Sequence, residues 1–478
     1  TADGRVIIAS LESVQCWTAD GRMEHAWPCR SNYRTYASAL APDGRTFVNG
    51  DAGGVVRLWD TATGKQTGTF KTEVNVSCSF AFSPDGRYLA YPSWHNLRVW
   101  DTVDHRELWT QPIQGSQYAA AAFTPAGRTV FLGEPRGTIR EWDVATGKPV
   151  RTLEGHPAFM DPPPPNNGFG PRRVDPHPGH MGSVIRLAVS LDGRRLISAA
   201  TDRTIRIWDL ATGKECALLE RATGRAPNYY PTPVFALAIS PVGGLLAAPG
   251  QDGDRRHLID LWDYRAGRRV ATLDGHRGPV TALAFSPDGR RLVSGSTDGL
   301  GYVWAVPPRP AGPTTKVDDA RVAALWSDLA DADAAKAYRA VSAWLDAPDA
   351  AVAAFRRLQR PDKPVDAGRV NRLIADLDSD QFAIRDRASK ELQALGPAAG
   401  RHLRQALAKS PSAEAARRIE AILASCPDED LRGPRAVEVL EAAGTPAAKV
   451  LLAEWAKGDP TATTPREAAA ALTRLNHR

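Results

Sequence analysis

Five short runs ending in Trp-Asp pace the first two thirds of this chain: LWD closing at Asp60, VWD at Asp101, EWD at Asp143, IWD at Asp209 and LWD at Asp263. They recur about every 40 residues except where extra sequence intervenes, and self-similarity at such a period marks a repeat architecture. The fullest copy, Gly275 to Trp304, reads as three short strands. An alternating apolar run (Val280 to Phe285) leads into Ser-Pro-Asp-Gly at 286–289, a second run (Arg291 to Gly295), Thr-Asp-Gly at 297–299 and a third run ending at Trp304. Asp-Gly between alternating runs signals a hairpin, because glycine supplies the positive φ that tight turns demand. Each unit is an antiparallel meander whose apolar face it cannot bury alone, so the copies must pack around an axis.

On Gly275-His276, Ser286-Pro287-Asp288-Gly289, Ser294, Asp298, Trp304 and the Trp-Asp endings in register, residues 1–306 resemble the WD-repeat (WD40-type) β-propeller family. That resemblance implies four-stranded blades, seven in number. DGRVIIAS, SVQCW and MEHAW at the start match the second, third and fourth strands of a blade, while full blades end near Phe70, Thr110, Leu153, Leu219 and Leu273. The seventh stops after three strands, because the prolines of 307–313 cannot pair. The first and last blades are thus expected to be incomplete. Family members close their ring by completing one terminal blade from the other terminus, which places two further strands, roughly 20 residues, ahead of Thr1.

In the best blades of the family a His, a Ser or Thr, an Asp and the Trp form a buried hydrogen-bonded tetrad. His276, Ser294, Asp298 and Trp304 match it, as do His180, Ser198, Asp202 and Trp208. A Ser, His and Asp set also suggests a hydrolase triad. Here it is duplicated at one spacing and lacks a nucleophile elbow, so the structural network is the reading adopted. Blades two, three, four and six lack the pattern, with Gly53, Trp94 and Arg136 where the turn Asp would stand in the first three. They are expected to be held mainly by apolar packing.

Three insertions interrupt the period: His156 to His180, Arg221 to Pro233, and a lengthened second turn in blade six, Gly250 to Leu258. In a propeller the links between blades and the turns between second and third strands emerge on one face. The insertions would crowd one sector of it with Phe159, Met160, Phe169, Arg172, Arg173, Arg221, Arg225, Tyr229, Tyr230, Arg255 and Arg256. Arg mixed with Tyr and Phe is the composition of binding hot spots. The competing reading is of Pro-rich surface loops without a partner.

Beyond a proline linker at 307–316 the strand signals stop, and Ala-rich helical periodicity fills 317–478. Val370, Leu373, Ile374 and Leu377 illustrate its apolar stripe. Asp378–Leu407 and Arg435–Lys457 look like HEAT-type hairpins, and a propeller joined to such a region resembles WD-repeat proteins of planctomycete-type bacteria. With 478 residues, 43% hydrophobic and 24% charged, the chain suits two globular domains. A net charge of +6 falls short of a nucleic-acid signature. Cys16, Cys29, Cys78, Cys216 and Cys426 lack metal-ligand spacing and form no disulfide framework. No apolar run has the length of a membrane span, and nothing assigns a compartment.

No phosphate-binding glycine loop, Cys-x-x-Cys, His-Glu-x-x-His or kinase motif is present. His156, His177 and His180, or Asp252 with Asp254, are the nearest metal candidates. Neither supplies enough ligands in an ordered setting, so neither metal nor cofactor is expected. Two functions follow. One is a non-catalytic, monomeric protein-interaction scaffold with an Arg and aromatic loop face and a helical second surface. The other is a sensory or regulatory region of a longer bacterial signalling or sigma-factor-like transcription protein whose effector lies upstream of Thr1.

Overall fold

Turn chemistry sets where the strands stop. In Ser286-Pro287-Asp288-Gly289 the Ser286 hydroxyl donates to Asp288 Oδ1 at 2.5 Å, and the same Oδ1 accepts the Arg290 amide at 3.0 Å. Gly289, at φ +67°, closes the turn onto the Ser286 carbonyl. Ser83 with Asp85 and Ser190 with Asp192 repeat this device in earlier blades, each at 2.5 Å. The Asp of Trp-Asp turns the chain between third and fourth strands: Asp60 Oδ1 accepts from the Thr63 amide and hydroxyl at 2.7 Å, and Asp143 does the same with Thr146. Those hydrogen bonds, the Thr63 hydroxyl foremost, hold the Asp60 carboxyl below its usual range.

The computed structural model describes residues 5–9, 13–18, 22–28, 35–51, 53–72, 79–93, 95–113, 119–134, 137–153, 183–200, 204–219, 236–242, 244–251, 256–307, 317–359, 366–395, 397–408, 411–425, 431–459 and 462–476. Seven antiparallel sheets follow one another along the chain. The first is β1 (Val6–Ala9), β2 (Ser13–Trp17) and β3 (Met23–Pro28). The second is β4 (Thr35–Leu40), β5 (Thr46–Asp51), β6 (Val55–Asp60) and β7 (Gln66–Lys71). The third is β8 (Ala81–Phe82), β9 (Tyr88–Pro92), β10 (Asn96–Asp101) and β11 (Arg106–Pro112). The fourth is β12 (Ala120–Phe123), β13 (Thr129–Gly133), β14 (Ile139–Asp143) and β15 (Pro149–Thr152). The fifth is β16 (Val184–Val189), β17 (Arg195–Ala200), β18 (Ile205–Asp209) and β19 (Lys214–Leu219). The sixth is β20 (Ala238–Ile239), β21 (Leu245–Gln251), β22 (His257–Asp263) and β23 (Arg268–His276). The seventh is β24 (Val280–Phe285), β25 (Arg291–Ser296) and β26 (Gly301–Ala305).

These are the seven blades; among the described residues the first and last have three strands. Each blade buries its apolar face against the next. Val14, Cys16 and Trp27 of blade one meet Phe47 and Trp59 of blade two. Val48 and Leu58 then meet Leu89 and Tyr91; Leu97 and Val99 meet Val130 and Leu132; Phe131 and Ile139 meet Leu196 and Trp208. Ile197 and Ile207 meet Leu246 and Trp262, and Ile259 and Leu261 meet Val280 and Leu292. The blade-six hairpin differs from expectation. Strand pairing runs on to Gln251 opposite His257, so the ends of the predicted loop at 250–258 belong to the β-ladder, and 252–255 lie outside the described residues.

The described residues divide into two compact units: 1–310 with 333–338, and 311–332 with 339–478. The short segment 333–338 therefore departs from the boundary drawn at 307–316. Its Ala334 and Tyr338 join the core cluster of blades five and six.

Ten helices follow among the described residues: α1 (Asp319–Asp328), α2 (Ala334–Leu345), α3 (Pro348–Leu358), α4 (Ala367–Asp376), α5 (Phe382–Leu395), α6 (Pro397–Ala408), α7 (Ala413–Ser425), α8 (Arg432–Ala443), α9 (Pro446–Trp455) and α10 (Thr463–Asn476). Asp318 caps α1 by accepting the Arg321 amide at 2.7 Å, and Thr445 caps α9 with Pro446 behind it. In the second unit the helices build two cores. Residues of α1–α3 and α8–α10 share one, centred on Val341, Trp344, Phe355 and Leu440, and α4–α7 form the other around Val370, Leu392, Leu403 and Ile419. Arg435 on α8 donates to the carbonyl of Leu329 at 2.6 Å, and Arg474 on α10 makes a two-pronged pair with the buried Glu441 on α8. The two hairpins compared with HEAT units thus lie in different cores, and α1–α3, distant in sequence, complete the core of the second.

Candidate functional site

In blade seven, hydrogen bonds join Trp304, Ser294, His276 and Asp298. The Trp304 indole donates to Ser294 Oγ at 2.8 Å; His276 bridges Ser294 Oγ at 2.7 Å from Nε2 and Asp298 Oδ2 at 3.0 Å from Nδ1. A carboxylate only accepts, so the Nδ1 proton faces Asp298 and the Ser294 hydroxyl donates to Nε2. Asp298 also takes the amides of Arg277 at 2.8 Å and Leu300 at 2.9 Å. Burial alone would push its carboxyl up, but these amides and the His276 ring outweigh burial and hold it well below the usual range.

This is the connectivity of a hydrolase triad, but it is closed off from solvent. Ser294 is 1% exposed and His276 4% exposed. The indole N–H occupies the serine oxygen from which an attack would have to come. In blade five Trp208 donates to Ser198 at 2.8 Å; His180 and Asp202 lie outside the described residues.

Blade two departs from the expectation of apolar packing alone. Trp59 donates to Asn49 at 2.7 Å, an amide doing the work of serine. Asp51 Oδ1 accepts the amides of Gly53 and Val55 at 3.0 Å each, bracing the turn from two positions before the residue where an Asp was sought. In blades three, four and six the residue in this register is Tyr91, Leu132 or Ala248. The buried indole nitrogens of Trp100, Trp142 and Trp262 accordingly lack a hydrogen-bond partner.

A second pattern escaped sequence reading. Two residues before the Trp stand Arg57, Arg98, Arg140 and Arg206 in blades two to five, and each meets an acid. Arg98 pairs with Glu107 at 2.7 Å and Arg206 with Glu215 at 2.8 Å, both acids on the fourth strand. Where that strand carries Gln66 or Pro149 instead, the acid comes from the second strand's end: Asp51 at 2.8 Å from Arg57, Glu134 at 3.5 Å from Arg140. Blade six inverts the signs, with Asp260 3.4 Å from Arg269 and accepting from Thr272 at 2.8 Å. Burial pushes the Glu134 carboxyl up, and Arg140 only partly opposes it.

Of the residues assigned to a partner-binding face, Phe159, Phe169, Arg172, Arg173, Arg225, Tyr229, Tyr230 and Arg255 lie outside the described residues. Arg256 is exposed and pairs with Asp274 at 3.0 Å. Among the described residues no three His, Cys, Asp or Glu side chains are placed to hold a metal ion, and no helix is long and apolar enough to cross a membrane.

The family model for the WD domain, G-beta repeat, matches residues 64–101, 172–209 and 267–305. The nuclear distribution protein PAC1 of Arthroderma otae is 28% identical over 292 residues, 56% of this chain and 57% of that protein. Subunit I of eukaryotic translation initiation factor 3 from Bombyx mori is 24% identical over 279 residues, 53% of this chain and 74% of that protein. The match to PAC1 thus spans little more than half the relative's length. Among solved structures, a chain of the mitotic checkpoint complex superposes with a TM-score of 0.51 at 19% identity, covering 64% of this chain and 86% of that one.

Proposed function

We propose that this chain, a seven-bladed WD-repeat β-propeller followed by a helical region, is a non-catalytic scaffold that binds other proteins. The observation that carries the reading is the fate of the Ser, His and Asp set among the described residues. Ser294, His276 and Asp298 are consumed in tying strands together, with the serine oxygen closed off by Trp304. A rigid ring with its reactive groups spent internally offers partners its loops and edges.

The Arg and aromatic insertions, with Phe159, Phe169, Arg172, Arg173, Arg225, Tyr229, Tyr230, Arg255 and Arg256, are the first binding face, and the HEAT-like helices are the second. The partners are proteins, and the chain acts as a monomer. Arg and Tyr are the residue types that dominate measured interface energies. Replacing Arg172, Arg173, Tyr229 and Tyr230 together by Ala removes at least one co-purifying protein from affinity pulldowns while the melting temperature holds. An unchanged set of proteins overturns this choice of face.

A further inference from the structure

At the outer edge of the propeller three seams between blades meet the same demand. The backbone turns just after Trp-Asp through a residue of positive φ, and a side chain from elsewhere lies against that turn. At the seam of blades three and four it is Trp109, whose indole donates to the carbonyl of Val144 at 2.7 Å and packs on Gly147. At the next seam it is Arg151, which donates to the carbonyl of Leu210 at 2.8 Å beside Gly213. Trp109 and Arg151 hold one register, each opposite the residue before the Trp of its own blade.

In blade five that register holds Ala217, opposite Ile207 and too short to reach. The seam is filled from outside the hairpins. Tyr338, packed within the first unit, donates its hydroxyl to the carbonyl of Tyr264 at 2.6 Å and sits against Gly267. In blade two the register holds Gly68, opposite Leu58. No side chain among the described residues reaches the corresponding carbonyl, that of Thr102. What remains is a pocket of about 190 Å³ between blades two and three, walled by Gly68, Thr69, Phe70, Trp100 and His105. Phe70 and Trp100 stack there at 4.2 Å and 11°. His105 stands at φ +51° where the other seams have glycine at 64, 147, 213 and 267. A left-handed residue bearing a side chain carries a strain of about 1–2 kcal/mol, and such strain gathers at functional sites.

We propose that this pocket receives a single tyrosine from a partner protein, seated as Tyr338 is seated three seams away. The aromatic walls suit a ring, and a cavity of about 150 Å³ already holds a benzene. The Thr102 carbonyl calls for a donor, and His105 puts no negative charge in the way. Ala334 and Tyr338 enter their cluster together, so the partner presents Ala-x-x-x-Tyr along one face of a helix. The pocket is independent of the insertion face, because the turn at 102–105 joins third and fourth strands, the opposite end of the hairpins.

The probe is a fluorescent synthetic peptide copying residues 333–346, titrated against the full chain. Saturable binding is expected, weakened at least tenfold by Phe in place of Tyr338 in the peptide and at least tenfold by Gly68→Trp in the protein. A Cβ added at Gly68 meets only Leu58, at 3.6 Å, so the backbone accepts the change. Gly68→Val serves if the larger ring perturbs folding, with melting temperature as the control. Absent binding, or binding that Gly68→Trp and Gly68→Val leave untouched, overturns the proposal. So does concentration-dependent dimerisation in sedimentation that Gly68→Trp abolishes, which would give the pocket to a second copy.

Discussion

His276 bridges Ser294 and Asp298, so its removal is informative. His276→Ala leaves the Ser294 hydroxyl and the Asp298 carboxylate short of a buried partner, and a thermal scan at pH 7 is expected to report a loss of about 1–3 kcal/mol. Because the Asp298 pKa is depressed in the fold, its contribution is complete above the unfolded value of 3.8 and lost as pH falls further. The gap between the wild type and Asp298→Asn therefore closes below about pH 4. An equal gap at pH 3 and pH 7 would contradict the assignment. The blade-seven set was legible because all four residues match one register. Asn49 and Asp51 were not, since each performs a familiar task with an unexpected residue type or from an offset position.

Strands were readable from alternation and turn residues. The seam fillers were hidden. Trp109, Arg151 and Tyr338 reach acceptors 35, 59 and 74 residues away, a relation no local period encodes. The charged pairs nine residues apart were within reach of a register alignment, had the position two before each Trp been compared across blades. They make a test at the level of one hairpin. Arg206 and Glu215 are both nearly buried, so Glu215→Arg, which opposes two guanidinium groups, should cost roughly 3–5 kcal/mol in urea unfolding. Adding Arg206→Asp and Leu218→Thr recreates the Asp260, Arg269 and Thr272 arrangement of blade six and should recover most of that loss. No recovery in the triple variant would mean that the pairs do not govern hairpin stability.

At the scale of the molecule, composition and periodicity announced a helical region but not its partition. Helical stripes mark which face is buried and leave open against which neighbour, so the pairing of α1–α3 with α8–α10 across the intervening α4–α7 had no signature. The division makes a prediction. Excising 361–429 and bridging the ends with a short Gly-Ser linker should remove helical circular dichroism in proportion while leaving a cooperative thermal transition. A broad, non-cooperative melt would show that the two cores depend on each other. The reversed polarity of Asp260 and Arg269 bears on how such a chain can change over generations. Similar repeats invite recombination between gene segments, yet a crossover that gave blade five the outer strand of blade six would set Arg206 against arginine, and the reciprocal product would set Asp260 against glutamate. Opposite polarity in adjacent blades thus acts as a lock on their order, discarding hybrids at the folding step.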